Sequence, residues 1–169
     1  NCLLEDAHQI SRVILLGPSH RVVLSGIAIP DCTEFKTPLG NIALDMEAVN
    51  YINDLDGVNI NNAAHSMEHS LEVQLPFLQM VLGEFLLVPL VVGNTSVCEV
   101  ASVLELLWGG PETLLVISSD LSHFHDDTTA RAMDKSTCEA IEHFDPEHIE
   151  RDQACGALAI KGLLQVARG

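Results

Sequence analysis

The 169-residue chain has 8 lysines and arginines against 24 aspartates and glutamates, a formal net charge of −16. Hydrophobic residues make up 47% and charged residues 19%, which excludes a disordered chain and supports one domain with a sizeable core. The negative charge, with no basic cluster to offset it, disfavours nucleic acid and anionic membrane surfaces as partners. No apolar run approaches the roughly 20 residues that span a bilayer.

Strand-like and helix-like segments alternate along the first half of the chain. An apolar run over residues 12–16 predicts a strand, followed by the turn Gly-Pro-Ser-His that ends at His20. Residues 26–30 predict a short edge strand closed by proline, and residues 35–40 are loop-like. Asp45 begins a predicted helix that ends at Gly57, and a short strand follows over residues 58–60.

The second half continues the same alternation. Leucines at helical spacing over residues 71–82 predict a helix, kinked at Pro76. Residues 85–92 form a strand-like run in which Pro89 favours an edge position or a bulge. A capping box over residues 96–99 opens a helix through residue 107.

Four apolar residues, 114–117, predict a strand buried on both faces. Helical segments then follow over residues 128–144 and 156–168, and Asp145 between them begins either a turn or a new helix with proline at its first position. This order predicts an α/β fold and a single domain over residues 1–169.

Candidate catalytic residues lie where a strand ends. Asp120 and His123 follow the strand over residues 114–117, and ligands of open α/β sheets bind outside the carboxyl ends of strands. This pair is therefore placed to act on a ligand together, although Asp120 is also a candidate helix cap. His20 occupies the same kind of position, where a hydrogen-bonded surface histidine is the alternative.

Glu68 and His69 precede the leucine-striped helix. A helix-capping or dipole-complementing role explains them equally well. His65 lies four residues before His69, as in zinc-binding helices, but the order His-x-x-Glu-His differs from the His-Glu-x-x-His pattern.

The cysteines are odd in number, widely spaced and without a CxxC pair, which favours reduced thiols in a cytoplasm over a disulfide framework. Cys155 stands out because it precedes the last helix, a position that favours the metal-binding thiolate form. A small buried residue at a tight helix entry is the alternative there. Neither a Gly-rich phosphate loop nor a Gly-x-Ser-x-Gly elbow occurs, so no nucleotide or serine hydrolase is indicated.

Taken together, several blocks resemble the Memo-like family, called AmmeMemoRadiSam system protein B in bacteria and archaea. The blocks run in the family's order, and their specificity is high as a set and low singly. They are VILLGPSH at 13–20, TPLG at 37–40, EHSLEVQLPF at 68–77, LVPLVVG at 87–93, SSDLSH at 118–123 and ACG at 154–156.

The resemblance implies the fold of class III extradiol dioxygenases, a central mixed β-sheet flanked by helices. It also implies a pocket at the position of those enzymes' non-haem iron site, built in this family from histidine and cysteine. The matching positions are His20, His123 and Cys155, with Asp120 beside them and with Glu68 and His69 nearby.

Two departures from the family pattern qualify this implication. The family carries another pocket histidine in a Pro-His-Ala-Gly-Tyr block upstream of the Gly-Pro-Ser-His turn, and it continues with further strands after the last helix. Neither is matched here, and the chain begins without Met, so we expect an incomplete Memo-like domain lacking parts of both ends.

The leading hypothesis is a metal-dependent oxidoreductase with iron or copper favoured over zinc. His20, His123 and Cys155 would bind the metal, and Asp120, His123, Glu68 and His69 are candidate catalytic groups. Ring-cleaving dioxygenase activity is less favoured, because extradiol sites use a carboxylate where this pocket has a thiolate.

Two other hypotheses remain open. One is a binding module for a peptide or protein ligand without turnover, and the weaker one is metal-assisted hydrolysis. The family's system name suggests, by analogy, a radical-SAM protein and a third component as partners.

Overall fold

The computed structural model describes residues 7–169, and a central sheet of five strands organises them. The strands are β1 (Arg12–Pro18), β2 (Ile27–Ile29), β5 (Val58–Ile60), β6 (Leu86–Val92) and β7 (Thr113–Ile117), in the spatial order β5-β2-β6-β1-β7. β1 runs parallel to β6 and β7, whereas β2 runs parallel to β5 and antiparallel to β6. A separate hairpin consists of β3 (Glu34–Thr37) and β4 (Gly40–Ala43). The predicted mixed α/β class is confirmed.

The helices flank this sheet. They are α1 (Met46–Asn53), α2 (Asn62–Ser66), α3 (Leu75–Leu82), α4 (Val97–Leu107), α5 (Asp127–Glu142) and α6 (Ala157–Ala167), with short 3-10 helices at Ala7–Gln9 and Pro146–His148. The predicted caps are confirmed, since Asp45 accepts a hydrogen bond from the Ala48 N–H, and Ser96 and Glu99 form a reciprocal capping box. In residues 7–169 the structure contains no helix that is both apolar and long enough to cross a bilayer.

The core has a layer on each face of the sheet because successive residues of β1 point to opposite faces. Ile14 and Leu16 pack with residues of α1 and α4, together with Ala159 of α6. Val13 and Leu15 pack with residues of α2, α3 and the hairpin. All four β1 side chains are fully buried.

The edge positions predicted for β2, which is followed by Pro30, and for β6, which contains Pro89, are wrong. β2 lies between β5 and β6, and β6 lies between β2 and β1. Leu87 accepts a hydrogen bond from the Asp45 N–H on the β2 side of β6, and Gly93 donates to Gly26 on that same side. Since backbone groups alternate sides along a strand, the Pro89 nitrogen also faces this side, at a position beyond the end of the β2 ladder. A proline is tolerated inside the sheet because no ladder hydrogen bond is needed there.

Three further local predictions are corrected. β7 is an edge strand whose residues are all half-buried, instead of being buried on both faces, because it pairs only with β1 among the described strands. Residues 35–40, predicted as a loop, belong to the β3–β4 hairpin with Pro38 and Leu39 at its tip. The helix predicted from residue 71 begins at Leu75, so Pro76 lies in its first turn and does not kink it.

Candidate functional site

The carboxyl ends of three parallel strands, β6, β1 and β7, meet at one edge of the sheet. Backbone hydrogen bonds continue past the strands, from Ser19 N–H to the Val92 carbonyl (2.9 Å) and from Ser118 N–H to the Leu16 carbonyl (2.8 Å). These bonds hold the loops after β1 and β7 side by side. The edge is the one at which open α/β sheets bind their ligands.

A cavity of about 330 Å³ lies at this edge, and we call it the Glu68 cavity. Of the residues that sequence analysis singled out, it is lined by His20, Glu68, His69, Asp120 and Cys155. The structure therefore brings together segments that are separated by up to 135 positions in the chain.

The closest pair in the Glu68 cavity is His20 with Glu68. Glu68 Oε1 lies 3.0 Å from His20 Nδ1, and Glu68 Oε2 accepts the His20 backbone N–H. Because an ionised carboxylate only accepts hydrogen bonds, Nδ1 is the donor in this pair. Nε2 is therefore the ring nitrogen whose lone pair can bind a ligand.

The Glu68 carboxylate is buried and ionised. Only 5% of the residue is exposed, and this burial by itself raises the pKa of its carboxyl. Hydrogen bonds from the backbone and ring of His20 and from the backbone N–H of Ser70 outweigh burial and lower the pKa to about 2. Glu68 is thus a fixed negative charge at the Nδ1 edge of the His20 ring at neutral pH.

The turn that carries Glu68 is locked against the end of β1. Ser70 Oγ donates a hydrogen bond to the Pro18 carbonyl at 2.9 Å. A Cβ on Gly17 would lie 2.7 Å from the same Ser70 Oγ, so only glycine permits this approach. The Gly-Pro-Ser-His sequence therefore serves the site through its glycine as well as its histidine.

Cys155 is held against the loop that follows β7. Its Sγ accepts the Asp120 backbone N–H at 3.1 Å, and the Cys155 N–H donates back to the Asp120 carbonyl at 3.2 Å. Ser119 Oγ accepts the Gly156 N–H at 2.9 Å, which fixes the entry to α6. The sulfur is half-buried and in the same cavity as His20.

His123 does not line the Glu68 cavity. Its exposed ring packs edge-on against Phe124, and Nδ1 donates to the Leu121 carbonyl at 2.9 Å. Asp120 does not cap a helix, because Asp126 caps α5 instead. No group of three or more His, Cys, Asp or Glu side chains within residues 7–169 is arranged to hold a metal ion.

The zinc-helix alternative for His65 and His69 is wrong. α2 ends at Ser66, so the two imidazoles do not share a helix. His65 Nε2 donates to the Ala28 carbonyl at 3.1 Å, and burial lowers the pKa of its ring. His69 lines the edge of the Glu68 cavity and pairs with Glu72 at 2.6 Å on the exposed side.

A second cavity, of about 440 Å³, adjoins the first, and we call it the arginine cavity because Arg21 and Arg151 line it. The two cavities share four residues: Pro18, His20, Arg21 and Cys155. Sequence reasoning missed both arginines, although each lies close in the chain to a candidate ligand: Arg21 follows His20, and Arg151 precedes Cys155 by four positions.

The fold and site define an α/β protein that presents a histidine–carboxylate pair and a cysteine at the carboxyl ends of parallel strands. The family model for Memo-like proteins matches residues 2–168. The chain belongs to the Memo-like family.

Relatives described as MEMO1 family proteins agree with this membership. The chain is 37% identical to one from Methanobrevibacter smithii over 138 residues, which are 78% of this chain and 49% of the relative. It is 32% identical to those of Nitrosopumilus maritimus, over 90% of this chain and 59% of the relative, and Thermotoga maritima, over 92% and 60%. The chain thus spans about half to three fifths of the length of these relatives.

Proposed function

We propose that this Memo-like protein is a metal-dependent oxidoreductase in which His20 and Cys155 bind the metal. The observation that carries the proposal is the bond between His20 Nδ1 and the buried Glu68 carboxylate. Metal-binding histidines nearly always donate their second ring nitrogen to a carboxylate, a carbonyl or water, which fixes the tautomer and raises ligand basicity. His20 has this arrangement, with Nε2 left as the ligand atom.

Cys155 supplies the second ligand in this proposal. Its sulfur accepts the Asp120 N–H, which holds the sulfur in place at the wall of the cavity. Imidazole and thiolate together suit iron, copper or zinc, and a redox role favours iron or copper. A bound metal of this kind supplies electron exchange with a substrate or with dioxygen.

The other groups have supporting roles in the proposal. Asp120 lines the cavity and can accept or donate a proton to a ligand bound there, whereas exposed His123 acts only on a ligand that extends out of it. The third metal ligand is then the upstream histidine that the family resemblance implies. The dioxygenase-like character of the fold is part of this proposal and agrees with a mixed sheet whose strand ends carry the site.

Metal analysis of the purified full chain tests whether His20 and Cys155 bind the metal. We expect bound iron or copper in the wild type, loss of metal in His20→Ala and Cys155→Ser, and a 10- to 100-fold weaker metal affinity in Glu68→Gln, the usual cost of removing a supporting carboxylate. Cys98→Ser is the matched control, because Cys98 is exposed on α4. Equal metal content in all variants would reject this ligand set, and a wild type that binds no metal would favour a metal-independent binding module.

A separate measurement tests the redox role. The metal-loaded protein should show an electron paramagnetic resonance signal that changes reversibly between dithionite and ferricyanide treatment. A site that retains only zinc would contradict the oxidoreductase and favour metal-assisted hydrolysis.

A further inference from the structure

The arginine cavity reverses the charge balance of the molecule. Acidic residues outnumber lysine and arginine by 24 to 8 in the chain. The described residues that line this cavity nevertheless include Arg21 and Arg151 and no aspartate or glutamate. Glu150 and Asp152 flank Arg151 in the chain but do not line the cavity. A local concentration of positive charge in so acidic a protein needs a physical reason.

Neither guanidinium is used to hold the fold together. Arg12 binds Thr113 and the Leu107 carbonyl and pairs with two carboxylates, and Arg131 pairs with Asp127. In contrast, Arg21 and Arg151 make no hydrogen bond or ion pair within residues 7–169. Both arginines are exposed, so within the described residues their donors are left to solvent or to a ligand.

The rest of the cavity wall fits an organic anion. Apolar side chains make up much of it: Val22, Val23, Leu24, Val92 and Leu158. The first turn of α6, residues 157–159, also lines the cavity, and its N-cap Gly156 provides no side-chain cap. Backbone N–H groups at such a helix start add to the attraction that the two guanidiniums exert on a negative group.

We propose that the arginine cavity binds the oxyanion of a small organic substrate, with Arg21 and Arg151 as its partners. This inference rests on the proposed function, because it names the class of molecule on which the site acts. Guanidinium forks match the planar geometry of carboxylate and phosphate oxygens. A volume of about 440 Å³ lies within the roughly 300–1,000 Å³ usual for small-molecule pockets.

The arginine cavity lies next to the two residues that we propose as metal ligands. His20 and Cys155 line both cavities, so they stand at the boundary between them. A ligand whose oxyanion and apolar body both lie in the arginine cavity presents its far end to these two residues. The substrate class is therefore an apolar or aromatic carboxylate or phosphate ester.

Three probes with one ring test this class on the full chain: benzoate, phenyl phosphate and the neutral benzamide. Titration at about 0.15 M ionic strength, which screens the long-range repulsion from the net negative charge, followed by calorimetry or NMR, should show saturable binding of at least one anion and at least tenfold weaker binding of benzamide. Arg21→Gln and Arg151→Gln should each weaken anion binding about tenfold, as expected for a lost charge-assisted hydrogen bond of about 1.4 kcal/mol. Whichever anion binds more tightly identifies the substrate group as carboxylate or phosphate.

Arg168→Gln is the matched control, because this exposed arginine lies at the opposite end of α6 and its loss changes net charge equally. Absence of saturable anion binding, equal binding of benzamide, or equal weakening by Arg168→Gln would overturn the inference. Metal content separates it from the proposed function. Loss of anion binding in the arginine variants with unchanged metal supports the cavity role, whereas anion binding in a protein that binds no metal leaves this cavity role standing and removes only the redox proposal.

Discussion

Glu68 is the residue on which the geometry of the site depends. Its two oxygens accept hydrogen bonds from His20 through backbone and ring, and Oε1 also accepts the backbone N–H groups of His69 and Ser70. One buried carboxylate therefore fixes the turn before α3 and the histidine after β1 at once. Removing its charge should loosen both.

Glu68→Gln should lower stability in a pH-dependent manner. The pKa of the carboxyl is about 2 in the folded protein against an ordinary 4.5, which corresponds to about 3 kcal/mol of folding free energy. Because the folded pKa is depressed, this contribution is complete above about pH 4.5 and is lost as pH falls towards 2. Urea unfolding should therefore separate wild type and variant by about 2–3 kcal/mol at pH 7 and by only about 1 kcal/mol near pH 3.

The control for this prediction is Glu105→Gln, at an exposed position on α4. It should change stability little at either pH. A stability difference between wild type and Glu68→Gln that stays constant from pH 7 to pH 3 would contradict the assignment of the effect to the ionised carboxylate.

At the same scale, sequence reasoning found site residues whose chemistry and place next to a strand or a helix stood out, and it missed the two arginines. His20 and Cys155 were predicted to converge, and both line the Glu68 cavity, because strand ends and helix starts meet at one sheet edge. His123 lies outside the cavity, where its exposed ring packs against Phe124 and donates to the Leu121 carbonyl. Arg21 and Arg151 belong to no pattern of spacing, so only their shared cavity reveals them.

At the scale of elements, α6 positions Cys155 through its packing on α4. A Cβ on Gly162 would lie 2.5 Å from Val100 Cγ1 and 3.3 Å from the Ala101 backbone nitrogen. The two helices therefore approach closely at a position that only glycine allows. Cys155 lies two positions before α6, so we expect its burial to depend on this contact.

Gly162→Ala should push α6 away from α4 and expose Cys155. The clash costs about 1–3 kcal/mol and outweighs the helix propensity of alanine, which is about 1 kcal/mol better than that of glycine. We expect a net loss of stability and faster iodoacetamide alkylation of Cys155, followed by mass spectrometry of the peptide that contains it. Gln165→Ala, on the exposed face of the same helix, should leave stability and the alkylation rate unchanged. A Gly162→Ala variant that is more stable than the wild type and is alkylated at the wild-type rate would show that the packing is not tight.

The elements also show where local patterns mislead. Apolar periodicity and caps placed α1, α4 and α6 correctly, because those signals are local. Strand positions depended on pairing that no local pattern contains: Pro89 argued for an edge, yet its nitrogen faces a gap beyond the end of β2. The hairpin was missed because it too depends on strand pairing, and Pro38 lies at its tip instead of in a longer loop.

At the scale of the whole molecule, charge opposes the compact state. Ion pairs with lysine or arginine within residues 7–169 involve only four carboxylates, those of Asp45, Glu112, Asp127 and Glu139. The net charge of −16 is thus mostly uncompensated and repels itself across a fold of this size. Because the arginine cavity is a local exception within a negative field, we expect the proposed anion binding there to depend on short-range contacts and not on long-range attraction.

Salt should therefore stabilise the protein. Raising KCl from about 10 mM to about 0.5 M shortens the screening length from about 30 Å to a few ångströms, which removes most of the repulsion between surface carboxylates. At pH 7 the free energy of unfolding, measured with urea, should rise by on the order of 1 kcal/mol. Near pH 4.6, the isoelectric point of the sequence, the same change in KCl should have little effect, which provides the control. A fall in stability with KCl at pH 7 would mean that the few ion pairs, Arg12 with its two carboxylates foremost, contribute more than the excess negative charge costs.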